Sequence, residues 1–131
     1  MTTITFYMPQ VADWISANDR LHWAKKARLT KTWRDAGLVY ARRNRLPQLT
    51  RAHIKVEIHK TTARRFDPGN LYDTAKPIVD GFMDYGLLRD DSAMFLDGPD
   101  MRAGEKQSKP GLTITITPLA PDMPQDAQNA A

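Results

Sequence analysis

An α+β fold, a small mixed sheet of about four strands with two helices packed on it, is predicted by three features of this 131-residue sequence. Period-two hydropathy marks a short segment at the start, one in the middle and one near residue 117. Two longer segments with helical spacing lie between them. The resulting order, β-α-β-α-β-β, puts both helices on one layer over a single sheet.

Residues 3–8 alternate, with Ile4, Phe6 and Met8 on one side and Thr3, Thr5 and Tyr7 on the other, and form the first strand. Residues 9–19 carry Pro, Ser, Asn and Asp around Trp14 and Ile15, the composition of an ordered loop, with Asn18 or Asp19 as the cap of the first helix. That long helix is expected over residues 20–45, with Trp23, Ala27, Thr30, Gly37 and Tyr40 near one face. Pro47 stops it, and residues 53–59 alternate as a second strand.

The second helix runs to about Tyr85 on a stripe of Leu71, Ala75, Ile78, Val79 and Phe82, and Gly86 ends it. Pro77 fits its first turn if the regular part begins near Asp73 or Thr74; otherwise the helix is kinked there. Residues 93–101, with Gly98-Pro99 among them, are the expected third strand, and residues 112–117 the last. The domain is expected to span residues 1–117. Residues 118–131, rich in Pro, Ala, Asp and Gln, read as a disordered tail.

The chain has no cysteine, which excludes disulfides and thiolate metal sites. No apolar run approaches the roughly 20 residues that span a bilayer, and no secretory signal is evident, so a cytoplasmic protein without a membrane partner is expected. Net charge is +4, yet the last fourteen residues hold Asp122 and Asp126 and no base, so the folded part is more basic than the whole. A basic surplus favours a polyanionic partner, because Lys and Arg meeting phosphates release counterions.

The bases are concentrated. Arg20, Lys25, Lys26, Arg28, Lys31, Arg34, Arg42, Arg43 and Arg45 stand in or beside the first helical segment against Asp35 alone, where solvated faces ordinarily mix signs. They form a candidate phosphate-contacting surface, and the interleaved Trp23, Trp33 and Tyr40 are read as packing residues. His53 and His59 share the outer face of the second strand, in no zinc spacing, and are not ligand candidates. His22 stands near the helix start, where capping and phosphate contact are both open.

Residues 64–91 reverse the picture, with Asp67, Asp73, Asp80, Asp84, Asp90 and Asp91 in one stretch. At roughly 100° per residue, Asp73, Lys76, Asp80 and Asp84 share one sector of the second helix, opposite its apolar stripe. Asp67 before the helix and Asp90-Asp91 after it meet only if the tertiary fold brings them together. Carboxylates are the ligands that hard Mg²⁺ takes, and phosphodiester hydrolysis needs both an activated water and neutralised phosphate charge. A lysine at the same phosphate would stabilise charge in the transition state, and Lys76 has the type and position for it.

The run Arg65-Phe66-Asp67-Pro68-Gly69-Asn70-Leu71, followed by Lys76, Asp80-Gly81, Gly86 and Asp90-Asp91, resembles the RusA family of Holliday-junction resolvases. Asn18-Asp19-Arg20 with His22-Trp23 is similar to the N-terminal motif of phage and actinobacterial members, so the resemblance covers about residues 4–117. It implies a Mg²⁺- or Mn²⁺-dependent endodeoxyribonuclease, a homodimer with two sites, acting on four-way DNA junctions in a bacterial cell or phage-infected host. By the same resemblance Asp67, Lys76 and Asp91 are the catalytic residues, with Asp90 beside the last. Arg64, Arg65 and Asn70 join the bases Arg20, Lys25, Lys26, Arg28, Lys31 and Arg34 as expected DNA contacts.

Two positions depart from the family pattern. Gly69 stands where the second family aspartate belongs, with two extra residues before Lys76, and Phe66 separates Arg65 from Asp67. Asp73 or Asp80 is the expected replacement ligand. Two other readings stay open: a weak or inactive junction-binding module, and a basic regulator whose first helix enters a DNA groove.

Overall fold

The computed structural model describes residues 2–120. Strand β1 (Ile4–Pro9) leads to helix α1 (Trp23–Arg43), strand β2 (Arg51–His59), a 3₁₀ turn (Pro68–Leu71) running into helix α2 (Tyr72–Tyr85), and strands β3 (Leu96–Ala103) and β4 (Gly111–Leu119). The sheet order is β1-β4-β2-β3, with β3 parallel to β2 and the other pairs antiparallel. The architecture is the expected α+β one, a mixed open sheet of four strands with two helices.

Alternation decides which way each strand faces. Ala52, Ile54, Val56 and Ile58 of β2 are fully buried, and the β2–β4 register sets Ile54 against Ile116 and Val56 against Ile114. Phe6 and Met8 of β1 join them, and Phe6 meets Phe82 of α2 edge to face, ring centroids 6.0 Å apart. Each large apolar side chain taken fully from water contributes about 1.5–3 kcal/mol, so a one-residue register slip would forfeit the whole set. The opposite face is polar and stays half-exposed, with Thr5 and Thr115 paired across β1 and β4.

The two helices touch through glycine. A Cβ on Gly37 would lie 2.2 Å from the Ile78 carbonyl oxygen, and one on Gly81 would lie 2.2 Å from that of Arg34. Hydrogen at both positions is what allows the backbones to approach this closely. Ion pairs flank the contact, with Lys26 reaching Asp73 at 3.5 Å and Arg34 gripping both oxygens of Asp84 at 2.7 and 2.8 Å.

Several local expectations change. Helix α1 begins at Trp23 and His22 caps it, its Nδ1 accepting from the Ala24 N–H, in place of Asn18 or Asp19. Its buried residues are Trp33, Gly37 and Ala41, while Trp23 is 77% exposed and Ala27 is exposed too. Helix α2 starts at Tyr72, so Pro77 is buried in the helix interior, beyond the first turn. Without an N–H it forfeits the bond to the Asp73 carbonyl. Leu71, Ala75, Ile78, Val79 and Phe82 are buried as the spacing predicts, and Gly86 ends α2 at φ 105°.

Strand β3 starts later and runs further than expected, through the Gly-Pro pair. Gly98 sits at φ +127°, where a Cβ would lie 2.5 Å from the Ile54 carbonyl oxygen, beside an irregularity between His53 and Lys55 in the β2–β3 register. A left-handed residue at a bulge lets the ladder continue beyond it. Strand β4 includes Pro118 and Leu119, so the domain extends past Thr117. The rest of the expected tail, 121–131, lies outside the described residues.

Candidate functional site

Lys76 projects from α2, and its ammonium donates to one oxygen of Asp80, a helical turn on, and to one of Asp91. Asp80 arrives by the i, i+4 geometry of the helix. Asp91 arrives by tertiary structure. After Gly86 the chain turns back because Leu87 and Leu88 are buried, and the Leu87 carbonyl accepts from the Leu49 N–H at 2.7 Å. Asp90 then accepts from the Ser92 N–H at 2.8 Å, fixing the turn that carries its neighbour. The three side chains are partly exposed, so the cluster stands at the surface.

Its charges are mutually supporting. Partial burial works against the Lys76 ammonium, but hydrogen bonds and attraction from Asp80 and Asp91 outweigh it and hold the amine above the ordinary lysine range. The hydrogen bond from Lys76 holds the Asp91 carboxyl below the usual carboxylate range. Lys76 and Asp91 are therefore held in their charged forms by one another.

The other expected ligands do not join it. Asp67 caps the 3₁₀ turn, its Oδ1 accepting from the Gly69 N–H at 2.9 Å, and its groove lies between the β1–α1 loop and this turn. Asp73 pairs with Lys26 across the helix seam, and Asp90 is used in its own turn. Among the described residues no group of three or more His, Cys, Asp or Glu side chains is set to hold a metal ion. Of the two alternative replacement ligands, Asp73 is engaged at the seam and Asp80 stands beside Lys76 with Asp91, while Asp67 and Asp90 are engaged in a cap and a turn.

Two carboxylates facing one cation from different elements are still a suitable donor set for Mg²⁺. That ion commonly takes one or two carboxylates and completes its shell with water and substrate phosphate. Asp80 and Asp91 are the residues that fit, and Lys76 holds them together.

The expected DNA contacts also divide. Lys26 and Arg34 pair with α2, Lys31 with Asp35 at 2.7 Å, and Lys25 approaches Asp13 at 4.0 Å. Arg20, Arg28, Arg64 and Arg65 are exposed and have no ion-pair partner among the described residues. Asp84 holds the Arg34 guanidinium above its ordinary range and is itself lowered by it. His59 is a satisfied core residue, its Nδ1 donating to the Glu105 carbonyl and its Nε2 2.6 Å from Thr113 Oγ1. His53 lies between Asp97 at 2.9 Å and Asp100 at 3.2 Å.

Sequence patterning does not reveal the part played by Thr74. Its buried hydroxyl donates to the Ile15 carbonyl at 3.0 Å and accepts from the Ile15 N–H at 2.7 Å, which pins the β1–α1 loop to α2. A threonine next to an apolar stripe carries no signal of a partner 59 residues away.

No protein-family model matches the chain, and no curated protein matches it. The resemblance to RusA resolvases therefore rests on the sequence pattern alone.

No helix among the described residues is long and apolar enough to cross a membrane.

Proposed function

We propose that the chain is a metal-dependent endodeoxyribonuclease that hydrolyses phosphodiester bonds in branched DNA. The observation that carries this reading is the gathering of Asp91, fifteen residues away in sequence, and Asp80 around Lys76. Carboxylates and an ammonium at one surface point suit phosphoryl chemistry, and exposed bases with no ion-pair partner among the described residues stand elsewhere on the molecule, free to meet a DNA backbone. Asp80 and Asp91 would hold Mg²⁺ or Mn²⁺, which supplies charge neutralisation at the phosphate and activation of the attacking water. Lys76 would stabilise negative charge on the phosphate oxygens, and Arg20, Arg28, Arg64 and Arg65 would fix the backbone without reading base identity. Products with a 5′-phosphate and a 3′-hydroxyl are expected, with a homodimer presenting two such sites to a four-way junction in the cytoplasm.

A second reading, a junction-binding module that does not cut, is favoured by Gly69 and by the separation of Asp67 from the lysine cluster. Incubation with a mobile four-way junction and with linear duplex of the same sequence, in Mg²⁺, Mn²⁺ or EDTA, separates the two. Nicks that need the metal and prefer the junction support the nuclease. Junction binding with no nick supports the module, and sequence-selective binding of linear duplex points to a regulator. Asp91→Asn is expected to lower cleavage at least about a hundredfold with binding retained. Asp67→Asn keeps a side-chain oxygen for the Gly69 N–H, so loss of cleavage in that variant would restore Asp67 to the reacting centre.

A further inference from the structure

We propose that Trp23 stacks on a nucleobase left unpaired at a DNA branch, and that this contact makes the protein prefer branched over linear DNA. The proposal rests on the reading of the protein as one that acts on branched DNA, and it adds the side chain that tells a branch from duplex.

Trp23 opens α1 and is 77% exposed, more than any other large apolar side chain among the described residues. Trp14 and Trp33 pack on each other, 5.6 Å between ring centroids and 4° apart in plane, so the third indole is not needed by the core. The His22 ring lies 5.6 Å from the Trp23 ring, centroid to centroid, and is itself fixed by accepting from the Ala24 N–H at 3.2 Å. The indole is thus steadied from one side before any ligand arrives, and rigid aromatic surface costs little ordering on binding. One and two turns on, Ala27 and Thr30 are small and leave a shallow, largely apolar hollow of about 510 Å³ beside it. The Thr30 hydroxyl already donates to the Lys26 carbonyl at 2.8 Å. Such a surface meets the π-face that every nucleobase has, whatever its identity.

Charge decides the occupant. Lys26, Lys31 and Arg34 rim the hollow and no acid lines it. A twofold copy of the chain seated there would set these three against themselves, whereas a polyanion is drawn in. Lys31 is the rim residue best able to meet a phosphate, since only an exposed i, i+4 pair with Asp35 engages it. The hollow also borders the Lys76 cluster. Lys26 reaches Asp73 and Arg34 reaches Asp84, and Lys76 and Asp80 lie on α2 between those two acids. The Asp80 charge contributes to holding Arg34 above its ordinary range. A strand followed along this seam from Lys76 meets the indole one turn before Lys26. In linear duplex each base is held between its neighbours, but at a branch the stack is interrupted and a base leaves it at little cost.

Trp23→Ala tests this in the full chain, with binding of a mobile four-way junction and of linear duplex of the same sequence measured side by side in EDTA. The variant is expected to bind the junction about tenfold more weakly and the duplex as before, while Trp23→Phe, which keeps a ring, recovers most of the loss. In the native protein, saturating junction should shield the exposed tryptophan from acrylamide, a neutral quencher, and saturating duplex should not. Because the side chain is exposed, the Ala variant should unfold at the native midpoint. Unchanged junction affinity in Trp23→Ala, an equal loss on junction and duplex, or conversion of a dimer to a monomer in light scattering overturns the stacking role. In each of those cases a native preference for the junction leaves the branched-DNA reading standing; a native protein that does not prefer the junction ends both.

Discussion

Lys26 and Arg34 on α1 lean across to acids of α2, while Arg28 on the same helix and Arg20 just before it have no ion-pair partner among the described residues. All four belong to one basic stretch that reads uniformly in sequence. What separates them is the path of α2: its acids Asp73 and Asp84 meet the bases that face the helix seam, and the others are left to solvent. Local charge density therefore overstates the positive charge left open to a polyanion, because part of it is neutralised internally.

The comparison breaks most severely at the seam itself. Gly81→Ala places a methyl group against the Arg34 carbonyl and the Leu38 amide, both backbone, so nothing can rotate aside. A loss of about 3 kcal/mol is expected, read as a lower urea midpoint. A native midpoint would mean that the helices do not meet through glycine.

A paired substitution sharpens the division of the bases. Arg34→Ala should lower stability by about 1 kcal/mol, since its two hydrogen bonds to Asp84 are half-exposed, and should leave junction affinity nearly unchanged. Arg28→Ala should do the reverse, leaving the thermal midpoint alone and reducing the salt dependence of junction binding by about one phosphate contact. Equal loss of junction affinity in both variants would show that the Arg34–Asp84 pair opens when DNA binds.

The smallest effect is the response to acid. Asp84 and Asp91 have lowered folded-state pKa values, held down by Arg34 and Lys76 respectively. Their contribution is fully present above the ordinary carboxylate range and is lost as pH falls through the lowered values. Both side chains are more than a third exposed, so solvent screens the effect. The Asn variants at these positions should flatten the acid limb of a stability profile slightly, and an unchanged limb would leave the ion pairs without weight.

The elements that write their partner into a short period were legible. Strands β2 and β4 alternate cleanly because one face is core and one is not, and α2 carries its stripe because a single face meets the sheet. The buried side of α1 was harder to read: Trp33 is the packing residue and Trp23 is not, although both are aromatics in a basic helix. What distinguishes them is the β1–α1 loop, where Trp14 stacks on Trp33 and the Asp13 carbonyl accepts from its Nε1. The candidate site was legible in type and incomplete in geometry. Lys76, Asp80 and Asp91 meet through a turn that depends on Leu87 and Leu88 burying behind it, and Asp67 stays with its own 3₁₀ turn. Spacing along a helix supplies i, i+4 neighbours, but a loop's return path is set by what it packs against.

The Trp14–Trp33 stack has an optical consequence. Two indoles held nearly parallel form one asymmetric chromophore, whereas Trp23 stands in water and emits as a separate, red-shifted population. The tryptophan bands of the near-ultraviolet circular dichroism would therefore report on the seating of the β1–α1 loop, while quenching by dissolved iodide would report on the start of α1, giving two separate clocks within one unlabelled molecule.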